Sequence, residues 1–86
     1  MTTHTKGANV TFQVSNMQGQ KRANILKENL EKYVGGVQEV DIDANREVVN
    51  VTYDPGRTDV YNLEAVLKNL DFYIESVEEN GMTRAR

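Results

Sequence analysis

Few side chains in this sequence could bind a metal ion or carry out a reaction. The 86 residues include one histidine, His4, three methionines and no cysteine. Disulfide bonds and thiolate metal sites are therefore excluded, and the fold must rest on an apolar core. The stretch SNMQGQKR, Ser15 to Arg22, combines a thioether, three amides and two cations. Its possible chemistries are weak sulfur ligation of a soft metal ion and recognition of an anion.

Lys21 and Arg22 lie at the predicted start of a helix. Free backbone N–H groups there, together with two cations, suit an anion such as phosphate or an acidic protein surface. The simpler interpretation is that both side chains extend into water, where they slightly destabilise the helix through its dipole. Ile25 falls outside the apolar stripe of this helix, so we expect it to be partly exposed beside the loop.

His4 and Met17 are the only candidate metal ligands that remain. If Met1 is removed, the terminal amine, two amide nitrogens and the His4 imidazole can form a square-planar site for Cu(II) or Ni(II). Any chain with histidine at that position shares this geometry, so a non-functional tail histidine is the simpler interpretation. The lone thioether of Met17 is a weak ligand. Metal binding through His4, the N-terminus or Met17 is kept as an alternative.

Alternating strand and helix patterns position these residues. The predicted order is a strand at 10–15, a helix ended by Gly35 and Gly36, strands at 37–43 and 48–54, a helix capped by Asp59, and a strand at 72–77. This βαββαβ order predicts an α+β, ferredoxin-like fold, in which a four-stranded antiparallel sheet carries both helices on one face. Residues 1–9 and 78–86 lack apolar periodicity, and we expect flexible tails there around one domain at 10–77.

Composition narrows the function classes. The net charge is −3 with interspersed acids and bases, which argues against nucleic-acid binding. Apart from Tyr73, the predicted open face of the sheet is polar or acidic, so it lacks the stacked aromatic residues of RNA-recognition domains. No apolar run approaches the ~18 residues of a membrane span, and no secretory signal is evident. We expect a cytoplasmic protein, monomeric or weakly dimeric, without membrane insertion.

Four stretches between Val10 and Val77 resemble those of heavy-metal-associated domains. These are the modules of copper chaperones, of the mercury-binding periplasmic protein and of the N-terminal regions of metal-transporting P-type ATPases. VTFQVSNM resembles the family's first strand and Gly-Met loop, and GVQEVDID its GV-x-x-V-x-V strand. VNVTYDP resembles its V-x-V-x-Y-D-P strand, and NLEAVLKNLDFYIE its second helix and closing L-G-Y-x-V. The resemblance implies the ferredoxin-like fold and a place in metal homeostasis.

The metal loop departs from the family pattern. The family has G-M-x-C-x-x-C here, which places the glycine on Asn16, the methionine on Met17 and the two cysteines on Gly19 and Arg22. A soft ion needs both thiolates at this helix N-terminus. Glycine has no ligand atom, and arginine is a fixed cation that repels a metal ion. We therefore predict a degenerate metal site with no two-thiolate Cu(I) binding and no cofactor.

The resulting hypothesis is a non-enzymatic binding module that acts through protein contacts or as a regulatory domain. Domains of this family meet partner proteins through the corner formed by the loop and the start of the first helix. In the family the loop methionine packs inward, and a tyrosine at the position of Phe72 packs beneath the loop. The resemblance therefore implies a partner protein at the same corner. The predicted partner-binding residues are Met17, Gly19, Lys21, Arg22, Ile25 and Phe72.

A hydrolase is the third hypothesis. MQGQKR resembles the phosphate-binding loop of acylphosphatases, which share the predicted topology. In that family the arginine comes one residue later than Arg22, and an asparagine on the third strand, where Asn50 lies here, positions water. No general acid or nucleophile is evident, so an acylphosphatase-like activity is an alternative only.

Overall fold

The computed structural model describes residues 7–79 and 82–85. Its elements are β1 (Ala8–Ser15), α1 (Gln20–Tyr33), β2 (Val37–Asp43), β3 (Val48–Tyr53), α2 (Val60–Asn69), β4 (Tyr73–Glu79) and β5 (Met82–Ala85). The strands form one antiparallel sheet in the order β2-β3-β1-β4-β5. The first four strands and both helices confirm the predicted ferredoxin-like fold. Among the described residues, no helix is long and apolar enough to span a bilayer.

The ordered chain extends further at both ends than the predicted boundaries of 10 and 77. β1 begins at Ala8, which pairs with Tyr53. β4 continues to Glu79, and β5 pairs with it where a flexible tail over 78–86 was expected. The prediction missed β5 because a short edge strand is held by backbone hydrogen bonds and needs no apolar periodicity. Of the tail expected over 1–9, residues 1–6, including His4, lie outside the described residues.

One face of the sheet and the inner sides of both helices enclose the core. Val10, Phe12 and Val14 alternate along β1 with less buried polar residues, as the period-two pattern predicts. Leucines of α1 and α2 cover this face from one side. The largest side chains without exposed surface are Phe12, Met17, Leu26, Leu30, Leu63 and Leu67. All of these except Met17 belong to a helix or strand, so a loop residue completes the core.

The two helices begin differently. At α2, the Asp59 side chain accepts a hydrogen bond from the Asn62 backbone N–H at 2.9 Å, which confirms the predicted N-cap. Such a cap stabilises a protein by about 1 kcal/mol. At α1, Gly19 occupies the N-cap position and no side chain caps the helix. The helix ends at Tyr33, earlier than the Gly35–Gly36 pair, of which Gly36 adopts a φ of 99° before β2.

A glycine-free Schellman turn ends α2 and brings Phe72 into the core. The Phe72 N–H donates to the Leu67 carbonyl and the Asp71 N–H to the Lys68 carbonyl, each at 3.0 Å. Asp71 adopts a φ of 68°, a left-handed conformation that glycine usually supplies at this position. We call residues 70–72 the α2–β4 corner. This corner lies against the loop between β1 and α1.

Candidate functional site

Unusual backbone geometry marks the loop of residues 16–19. Asn16 and Gln18 have φ angles of 73° and 58°, and Gly19 has 102°. Positive φ is uncommon outside glycine, although asparagine tolerates it better than most residues. The Asn16 side-chain amide donates to the Asp71 carbonyl at 2.7 Å, and the Gln18 amide donates to the Asn16 side-chain oxygen at 2.8 Å. The first of these bonds fastens the loop to the α2–β4 corner.

Glu47, in the turn between β2 and β3, supports the loop from another side. Its carboxylate accepts a hydrogen bond from the Met17 N–H at 3.0 Å, and its carbonyl accepts one from the Val14 N–H at 3.0 Å. Glu47 also has a positive φ, 58°. Sequence reasoning missed this residue, because nothing in the composition of the turn signals a contact 30 positions away.

The Arg22 side chain is hydrogen-bonded to backbone carbonyls of the domain. Its Nε donates to the Asn16 carbonyl at 3.2 Å, and its Nη2 donates to the Leu70 carbonyl at 2.8 Å. The guanidinium carbon lies 4.4 Å from the centre of the Phe72 ring, within cation–π range. Leu70 is the C-cap of α2, where a cation also interacts favourably with the helix dipole. The expectation that this side chain extends into water is therefore wrong, since Arg22 is partly buried and has three internal contacts.

The other predicted partner-binding residues divide into buried and exposed groups. Met17 has no exposed surface and Phe72 only 2%, so neither can contact a partner in this conformation. They support the loop from beneath, as the family resemblance implies for both positions. Gly19 and Lys21 are exposed, and Ile25 is 42% exposed. We call these last three residues the exposed corner.

The residues present do not fit a thiolate metal site. No group of three or more His, Cys, Asp or Glu within 7–79 and 82–85 could hold a metal ion. Gly19 is open to solvent, but its φ of 102° is a conformation that L-residues rarely adopt, so a ligand-bearing residue would be strained there. The guanidinium of Arg22 repels a cation, and Met17 is fully buried. Cu(II) or Ni(II) binding through His4 stays a prediction, because His4 lies outside the described residues.

The two residues of the hydrolase hypothesis are not brought together. Asn50 lies on β3 between the core residues Val49 and Val51, so it faces the open side of the sheet. Its side-chain oxygen accepts a hydrogen bond from the Asn9 amide at 2.7 Å. Arg22 instead contacts Phe72 and the carbonyls of Asn16 and Leu70 on the helix side. The geometry offers no shared phosphate site to these two residues.

The opposite end of the molecule has different features. A shallow groove of about 380 Å³ lies there between α1 and α2, lined by Tyr33, Val34, Gly35, Arg57, Thr58, Asn62 and Val66. Burial raises the pKa of Tyr53 above 10.0, and the carboxylates of Glu79 and Asp59 raise it further. Burial and these carboxylates disfavour the tyrosinate, so Tyr53 is not an activated nucleophile at neutral pH.

Sequence comparison finds no matching family model and no matching curated protein. Solved structures do match. Oxidized MerP from Ralstonia metallidurans CH34 has a TM-score of 0.72 and 23% identity, covering 86% of this chain and 97% of the other. A copper binding domain from HMA7, a P-type ATPase, has a TM-score of 0.73 and 17% identity, covering 84% and 92%.

A third similar structure is the N-terminal domain of a "Potential Copper-translocating P-type ATPase" from Bacillus subtilis in the Cu(I)-loaded state. It has a TM-score of 0.73 and 21% identity, covering 93% of this chain and 99% of the other. At these identities the likeness concerns the fold. It confirms that the chain has the fold of heavy-metal-associated domains. That Gly19 and Arg22 occupy the family's two cysteine positions stays a prediction from the resemblance in sequence.

Proposed function

We propose that this domain is a non-enzymatic module that binds another protein through the exposed corner. One observation carries the proposal: Arg22, which the resemblance assigns to a thiolate position, is hydrogen-bonded internally, while Lys21 and Ile25 beside it remain exposed. The loop is therefore fully supported by the protein's own contacts. The exposed corner presents the cation of Lys21 and the apolar side chain of Ile25 to solvent.

The charge around the corner indicates the chemistry of the partner. The first turn of α1 contains no acidic residue, and no described carboxylate pairs with Lys21. The unneutralised helix N-terminus and the ammonium of Lys21 both favour a carboxylate. Ile25 adds an apolar contact of the kind that is well buried at the centre of interfaces. The proposed partner is thus an acidic protein surface with an apolar neighbour, and the expected location is the cytoplasm.

Site-specific photo-crosslinking in cells tests this proposal. A photoreactive residue replaces Ile25, and a control replaces Tyr61, which is 70% exposed on α2. We expect a discrete adduct from position 25 that Lys21→Glu abolishes, and no matching adduct from position 61. Equal adducts at both positions, no adduct at 25, or an adduct insensitive to Lys21→Glu would contradict the proposal. Circular dichroism of each variant confirms that the fold is retained.

A further inference from the structure

We propose that Arg22 is a positioning residue that clamps the loop to the α2–β4 corner, so that the exposed corner keeps its docking shape without a metal ion. The consequence for docking rests on the function proposed above. The clamp itself is a property of the isolated domain. Its test therefore needs no partner, and the two proposals can fail separately.

The clamp joins segments that are distant in sequence. The Arg22 side chain connects the first turn of α1 to Leu70, 48 positions away, while Asn16 connects the loop to Asp71, 55 positions away. Arg22 also donates to the Asn16 carbonyl, so the two connections share a residue. The Phe72 ring, itself buried, forms the floor against which the guanidinium stacks. The Arg22 side chain thus adds two hydrogen bonds and a ring contact to the bond by which Asn16 already joins the loop to the α2–β4 corner.

The backbone around the clamp needs this support. Asn16, Gln18 and Asp71 all adopt positive φ without being glycine. Such conformations cost free energy and persist only where surrounding contacts stabilise them. Without the guanidinium, the carbonyls of Asn16 and Leu70 lose a charged donor. We therefore expect the loop to open locally, ahead of the rest of the fold.

The guanidinium of Arg22 suits the clamp because of its shape and its constant charge. A guanidinium is planar, carries five N–H donors and stacks on aromatic rings, whereas a lysine ammonium is a compact point charge on a flexible stem. Arginine also stays charged throughout the pH range of cells. A cysteine ligand, in contrast, must lose its thiol proton to bind a metal ion, and it no longer binds once it is oxidised. An exposed corner held by Arg22 would keep its docking shape whatever the redox conditions and the concentration of metal ions.

Amide hydrogen exchange of the isolated domain, measured by NMR, tests the clamp. The reporters are the hydrogen-bonded amides of Met17, Ala23 and Asp71. Arg22→Gln and Arg22→Lys retain good helix formers, and the second also retains the charge. Lys27→Gln, at an exposed position of α1 outside the exposed corner, is the matched control. We expect exchange at the reporters to be at least about tenfold faster in Arg22→Gln, which loses the charge-assisted hydrogen bonds, and clearly faster in Arg22→Lys, which lacks the planar fork of donors. The control should change by less than about twofold.

Two results would overturn the clamp. Unchanged exchange at the reporters would show that the loop does not depend on Arg22. Protection of the reporters equal to that of the core amides of Val10 and Val51, in the unmodified domain and in both Arg22 variants, would show that they exchange only when the whole domain unfolds and that the loop does not open locally. The milder Arg22→Lys variant keeps the test decisive if Arg22→Gln is poorly folded.

The crosslinking assay then separates the clamp from the docking function. With the photoreactive residue at position 25, Arg22→Gln should lower the adduct yield although Lys21 is intact. A lower yield with unchanged exchange would overturn the clamp, because Arg22 would then contact the partner itself. Faster exchange with a full yield would overturn the claim that docking needs the clamped shape. Absence of any adduct in the protein with Arg22 would overturn the proposed function and leave the exchange result standing.

Discussion

The two ends of the domain hold their turns in different ways. All four non-glycine residues with positive φ in the described chain lie at the loop end: Asn16, Gln18, Glu47 and Asp71. At the opposite end a glycine takes this conformation. Gly36 has a φ of 99°, and a Cβ there would lie 2.8 Å from the Cβ of Arg57. The opposite end avoids backbone strain because a glycine takes the positive φ. The loop end keeps strained residues, and side-chain contacts stabilise them.

The arginines at the two ends show the same difference. Arg22 is partly buried, donates to two carbonyls and stacks on Phe72. Arg57 is exposed, and its backbone N–H, not its side chain, donates to the Asp54 carbonyl at 2.9 Å. Strained backbone held by surrounding contacts is typical of functional sites. The comparison therefore supports the proposal that the functional surface of the domain lies at the loop end.

Removing the ring beneath the clamp should have the largest effect. Phe72→Ala deletes a buried side chain and the surface on which Arg22 stacks, so we expect the free energy of unfolding to fall by about 3–5 kcal/mol. Phe72→Leu retains apolar volume and should cost clearly less. Urea denaturation followed by circular dichroism measures both variants. A loss below about 1 kcal/mol for Phe72→Ala would show that the loop end does not rest on this ring.

The matched arginine variants come next in size. Arg22→Ala leaves two carbonyls without their charged donor, and we expect a loss of about 1.5–3 kcal/mol in the free energy of unfolding. Arg57→Ala removes an exposed side chain and should change it by less than about 0.5 kcal/mol. The same denaturation experiment compares the two. Equal losses would remove the distinction between the two ends.

A glycine at the α2–β4 corner should stabilise the domain. Asp71→Gly relieves the left-handed conformation at a φ of 68°, and we expect a gain of about 0.5–1 kcal/mol. Asn69→Gly, in the last turn of α2, is the control and should be destabilising by up to about 1 kcal/mol. Thermal denaturation measures the shift in Tm for each. Destabilisation by Asp71→Gly would mean that the aspartate side chain contributes more than the backbone strain costs.

The smallest effect concerns the opposite end and appears only at alkaline pH. The pKa of Tyr53 is raised in the folded state by burial and by Glu79 and Asp59, so its neutral form is favoured there. This contribution to stability is fully present below pH 10.0 and is lost as the pH rises through the folded pKa. We expect stability to decline above pH 10 more steeply than in Tyr53→Phe. Denaturation at several pH values measures the free energy of unfolding of both proteins. The same decline above pH 10 in both would contradict this expectation.

Sequence patterns predicted the framework better than the site. The bounds of β2, the Asp59 cap and the inward face of β1 all follow from local periodicity or capping chemistry. The partners of Arg22 could not be predicted in this way, because they are backbone carbonyls brought close by the fold. Glu47 shows the same limitation, since its partner is a backbone N–H 30 positions away. Contacts between side chains and distant backbone leave no periodic signal in a sequence.

The guanidinium of Arg22 gives the loop end of the domain its own cation, and we predict that no metal ion binds there. Anaerobic Cu(I) titration of the isolated domain, followed by amide NMR, tests it most directly. We predict no saturable shifts at residues 16–25 or at Phe72, because Arg22 already occupies the carbonyls and the ring. Saturable shifts confined to those residues would show that Cu(I) binds at the loop, which would contradict this prediction.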